Sequence, residues 1–218
     1  ADVVADVVRD HRRVARVVFG NAGLDFAHQI GTDIGTITIT NSGGTTFSST
    51  VSAATVAITS TTAGNAVTFA DNLTLTSGMT VGAGSAAYNV AINGTTNTIA
   101  GTTTFTNTGT VTLGNGSDTI NFTSGVVATA PSAVSVNGTI TAAGTGVINL
   151  GVPVSVNANT TIGGTSTGNI TLGAATLVDS ATLTVGTGIA NAISLSSVSG
   201  TASGTTSNLT INTTGAVT

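Results

Sequence analysis

The chain has 218 residues, of which 29 are Gly and none is Cys, Lys, Glu or Trp, and only 6% are charged. An ordinary soluble domain is about a quarter charged, whereas here 47 Thr, 20 Ser and 18 Asn return that polarity as hydroxyls and amides. With 40% hydrophobic residues and a mean hydropathy of +0.45, the composition excludes the apolar-poor, highly charged form of disorder, and without Lys it offers no basic nucleic-acid footprint. No run of about 18 apolar residues exists to span a bilayer as a helix. Ala1 is not followed by a basic and then apolar leader, so an export signal is expected to have been removed or to lie outside this sequence.

The first 33 residues hold all four arginines, both histidines and five of the eight aspartates, and form a charged head. Val4, Val7, Val8, His11, Val14, Ala15 and Val18 recur at steps of three and four, opposite Asp2, Asp6, Arg9, Arg13 and Arg16. That spacing predicts an amphipathic helix over 3–18, with Gly20 and Gly23 as its stop, although the valine pairs would also suit a strand. Asp6 and Asp10 interleave the arginines, which favours a solvated face over an anionic binding patch. His11 and His28 lack the neighbouring acids or thiols of a metal site.

From Ile34 to Thr218 the period changes to two. Apolar pairs such as Ile37/Ile39, Val67/Phe69, Leu73/Leu75, Val111/Leu113, Ile148/Leu150 and Leu209/Ile211 alternate with Thr and Ser, as half-buried strands do. Some steps, such as Ile99 to Phe105 to Val111, are six residues, short for a hairpin sandwich and far too short for a crossover helix. An all-β parallel β-helix, a β-solenoid rod, is therefore expected over 34–218 behind a short helical head. At about 20 residues a coil it has roughly nine coils and a length on the order of 45 Å. Ile, Val, Leu and Phe point inward, Thr and Ser point outward, and Gly and Asn at the corners supply positive φ. The alternative is an antiparallel β-sandwich filament subunit, with hairpin turns at 41–44, 93–95, 114–118 and 137–139.

The runs GlyThrIleThrIleThrAsnSerGlyGlyThrThrPhe (35–47), AsnIleThrLeuGlyAlaAlaThrLeu (169–177), AlaThrLeuThrValGlyThrGlyIle (181–189) and SerAsnLeuThrIleAsnThrThrGlyAlaVal (207–217) resemble the degenerate repeats of filamentous-haemagglutinin-like surface proteins and other large bacterial β-strand-repeat adhesins. The likeness covers most of 34–218 and none of the head. It implies an exported, right-handed parallel β-helix, part of a long fibre that serves adhesion, surface coating or matrix. No secretion domain of that family is recognisable.

Chemistry-bearing residues are sparse after the head. Asp71, Asp118 and Asp179 are the charged side chains of 34–218, with no cation beside them, so the paired acid and base of a polysaccharide-cleaving β-helix are missing and no enzyme is expected. No His follows His28 to activate a serine. LeuGlyAsnGlySerAspThrIleAsn (113–121) approaches the calcium-binding β-roll nonapeptide, which makes Asp118 a single-copy calcium candidate, and no other cofactor is implied. Thr-x-Thr runs at 36–40, 74–76, 102–112 and 182–184 raise an ice-binding solenoid as the alternative function, but in the sequence they keep no fixed coil interval. A polysaccharide-binding surface protein is a further alternative, poorly supplied with stacking rings because Tyr88 is the one Tyr and there is no Trp.

The function expected from these features is a structural or adhesive fibre subunit at the cell surface or outside the cell, unbraced by disulfides or Lys-Asn bonds. The run Leu209–Thr218 carries no charge or proline to protect a sheet edge. Leu209, Ile211 and Val217, with Val4 and Val8 of the head, are the candidate assembly residues for end-to-end contact with another copy. A host or matrix surface is the possible further partner.

Overall fold

A computed structural model describes residues 23–201 and 204–218, all of whose regular elements are strands. In chain order these are β1 Leu24–Phe26, β2 Ile30–Ile39, β3 Thr45–Phe47, β4 Val51–Ile58, β5 Ala66–Phe69, β6 Leu73–Val81 and β7 Asn89–Ile92. Next come β8 Thr96–Ile99, β9 Thr103–Phe105, β10 Thr110–Leu113, β11 Thr119–Phe122, β12 Gly125–Ala128 and β13 Ala133–Ala142. The series ends with β14 Val147–Leu150, β15 Val154–Gly164, β16 Ile170–Leu177, β17 Thr182–Val185, β18 Ile193–Gly200 and β19 Asn208–Ile211.

Every strand pair is parallel, and each joins a strand to its counterpart one coil on, as in Thr45 with Val67 and Val67 with Val90. The result is a β-solenoid of about 8 turns, which sets aside the antiparallel sandwich. Three columns of strands form its faces. The first face runs through β1, β3, β5, β7, β10 and the starts of β13 and β15. The second holds β8, β11, the ends of β13 and β15, β17 and β19. The third holds the ends of β2, β4 and β6, then β9, β12, β14 and the starts of β16 and β18. Longer strands such as β13 turn a corner and contribute to two faces.

The period-two pattern builds the core directly. Along the first face, Phe26, Phe47, Phe69, Ile92, Leu113, Val136, Val156 and Leu177 occupy one register column, and all but Phe26 are buried. Each buried side chain of this size stabilises the stack by about 1.5–3 kcal/mol relative to exposure. The expected inward pairs are buried from Ile37/Ile39 through Leu183/Val185, while Leu195, Leu209 and Ile211, at the edge of the last described coil, are partly or fully exposed.

Three expectations need correction. The coils number about 8 rather than nine, since register partners lie as much as 26 residues apart, as Thr182 and Asn208 do, and most coils exceed 20 residues. Residues 24–33 of the charged head already belong to the solenoid, supplying β1 and the start of β2; the expected helix over 3–18 lies outside the described residues. Positive φ at the corners belongs to Gly, with Asn41 and Ser180 the non-Gly exceptions among the described residues. Several asparagines act through their amides instead. Buried Asn97 accepts the Leu73 N–H at 3.0 Å and donates to the carbonyls of Gly94 and Thr119, tying successive coils together.

Candidate functional site

Asp71, Asp118 and Asp179 all fall on the corner between the first and second faces, after Phe69, Leu113 and Leu177 respectively. Counting along the first-face column, Asp71 and Asp118 are two coils apart and Asp118 and Asp179 three, so at the strand spacing their separations are roughly 10 and 14 Å. Each carboxylate is engaged locally. Asp71 Oδ1 accepts the Asn72 N–H at 2.7 Å, Asp118 Oδ2 accepts the Asn115 N–H at 2.7 Å, and Asp179 Oδ1 accepts the Thr201 hydroxyl at 2.6 Å.

Asp118 is buried and its own carbonyl accepts the Thr139 N–H at 2.7 Å. It closes a turn in which Gly114 (φ 83°) and Gly138 of the next coil (φ 82°) bring backbones together; a Cβ on Gly138 would lie 2.2 Å from the Asp118 carbonyl oxygen. Calcium takes six to eight oxygen ligands, and among the described residues no group of three or more His, Cys, Asp or Glu side chains comes together. The residues around Asp118 form a corner clasp, and Asp118 is the one carboxylate in it.

Tyr88 is wholly buried and its hydroxyl donates to the Gly82 carbonyl. Desolvation pushes its pKa up to about 12. The ring is a piece of the core and presents no stacking surface to a sugar.

The candidate assembly residues of the body do come together on the last coil. Leu209 and Ile211 pair with Leu183 and Val185 below, and Val217 bridges to Ile193. Leu183, Val185 and Ile193 are buried, yet Leu209 is 43% exposed and Val217 52%. Leu183, Val185 and Ile193 are covered by the described coil that holds Leu209, Ile211 and Val217. Val4 and Val8 lie outside the described residues. No helix among the described residues is long and apolar enough to cross a membrane.

Sequence reading missed one feature of the second face, where threonines from successive coils fall into register despite unequal spacing along the chain. Only strand pairing reveals it. No family model, curated protein or solved structure matches the chain.

Proposed function

We propose that the chain is a non-enzymatic structural or adhesive fibre subunit, working outside the cell or at its surface, that assembles end to end with the first coil of another copy on the edge of the last. The carrying observation is the pair Leu209 and Val217, two of the three large hydrophobic residues exposed on the described surface, both on that edge. The first described strands, Leu24–Phe26 and Ile30–Ile39, pair in parallel with the coil that follows them. Strands at both ends run in the same direction, so one copy stacked on another continues the inner columns and the parallel hydrogen-bond ladder. The likeness of the repeats to filamentous-haemagglutinin-like adhesins and the neutral hydroxyl surface agree with a fibre, and a host or matrix surface is its further partner.

Sedimentation velocity of the full chain across a concentration series tests this. The wild type is expected to grow in mass with concentration, and Leu209→Lys combined with Val217→Lys to remain monomeric with unchanged far-ultraviolet circular dichroism. A wild type that stays monomeric throughout, or a double variant that assembles equally, would count against the proposal.

A further inference from the structure

The second face carries a column of one residue type through six consecutive coils: Thr96, Thr119, Thr139, Thr161, Thr184 and Thr210, each the register partner of the next. All six point outward and are partly or fully exposed. Among the described residues none of the six hydroxyls has a hydrogen-bond partner, so their donors and acceptors all face solvent. Two residues along the strands, Thr74, Thr98, Asn121 and Thr141 form a shorter second row, which gives way to Gly163 and in which the Thr141 hydroxyl donates to Asn121 Oδ1 at 3.3 Å.

The other faces do not keep this uniformity. On the first, Thr68, Ala91, Thr112, Ser135, Ser155 and Thr176 follow one another, and Ser135 Oγ is taken by the Asn157 amide at 2.7 Å. On the third the order is Thr104, Val127, Asn149 and Thr171. A β-branched side chain is stiff at χ1, so a threonine column fixes a hydroxyl and a methyl at the repeat of the backbone. That repeat is about 4.8 Å along the axis and roughly 6.7 Å along the strand. No charged side chain occurs in either row to impose its own hydration shell.

We infer that this face binds ice: its two rows hold a layer of water at lattice-like intervals, and that layer joins the surface of a growing crystal. Such a function goes beyond the fibre reading and does not depend on it. A crystalline polysaccharide is the other regular surface with matching chemistry, but neither row contains an aromatic ring for sugar stacking, which favours ice.

The test measures thermal hysteresis and adsorption to a single ice crystal for the full chain, with Thr161→Tyr and Thr139→Tyr in the column and Thr112→Tyr on the first face as control. Circular dichroism and the melting midpoint report folding, and two separate column variants guard against one that fails to fold. The wild type is expected to shape ice and to show hysteresis, a folded column variant to lose both, and Thr112→Tyr to keep them. A wild type without hysteresis or ice adsorption overturns the inference. So does equal loss in Thr112→Tyr, or retention on insoluble cellulose or chitin without any effect on ice.

Discussion

The rings of Phe47 and Phe69 lie 4.9 Å apart and 3° from parallel, one in each of two successive coils, and Phe26 continues the stack at 5.1 Å and 17°. Parallel pairing at identical register leaves each inward side chain directly over its counterpart, so offset-stacked rings follow from the backbone alone. Removing the buried Phe69 ring from this column leaves a cavity between its neighbours Phe47 and Ile92. Phe69→Ala is expected to cost about 3–5 kcal/mol in denaturant unfolding, whereas Leu209→Ala on the last coil costs no more than about 0.5 kcal/mol. Equal losses would contradict the placement of the core.

Corner glycines separate two effects. Gly144 (φ 62°) has nothing within 4 Å of a built Cβ, and Gly138 (φ 82°) has the Asp118 carbonyl oxygen at 2.2 Å. Gly144→Ala is expected to cost about 1 kcal/mol from left-handed backbone strain. Gly138→Ala adds a backbone collision and exceeds about 3 kcal/mol. Melting midpoints of the two variants check the order.

Tyr88 makes stability fall at high pH. Its phenol titrates at the ordinary 10.0 in the unfolded chain and at about 12 in the fold. Below 10 both states keep the proton; between 10 and 12 the unfolded chain releases it first, so stability drops as pH rises, by about 2–3 kcal/mol in total. Chemical denaturation at stepped pH should show this slope in the wild type and not in Tyr88→Phe, which itself costs about 1 kcal/mol through the unmatched Gly82 carbonyl.

Asp118 holds a turn through the Asn115 N–H. Asp118→Ala is expected to cost about 1.5–3 kcal/mol by removing a charge-assisted hydrogen bond, while calcium or a chelator leaves the melting midpoint of the wild type where it was. A calcium-dependent rise that disappears in Asp118→Ala would restore the β-roll reading.

Strand positions were legible in the sequence because burial alternates with period two: Val67/Phe69 and Leu73/Leu75 read as inward pairs and are inward. The boundary at Ile34 was not, since Asp25, His28 and Asp33 mark a charged segment although Leu24, Phe26 and Ile30 already follow the coil columns. Local polarity masks a register that only pairing defines. Asn was expected at the corners for positive φ, yet Asn97 and Asn107 are buried and bond to backbone carbonyls, as when the Asn107 amide donates to the Tyr88 carbonyl at 2.9 Å. Nothing in composition distinguishes the two roles. The second-face column escaped notice because the steps from Thr96 to 119, 139, 161, 184 and 210 are unequal: corners absorb insertions while the strands keep register.

Negative-stain electron microscopy of the full chain tests the central claim of coil-on-coil assembly most directly. A single stack of about 8 turns is roughly 40 Å long at the spacing of parallel strands. The account predicts rods of constant width extending well beyond that length, shortened to single stacks by Leu209→Lys with Val217→Lys. Uniform particles of one stack length at every concentration would contradict it.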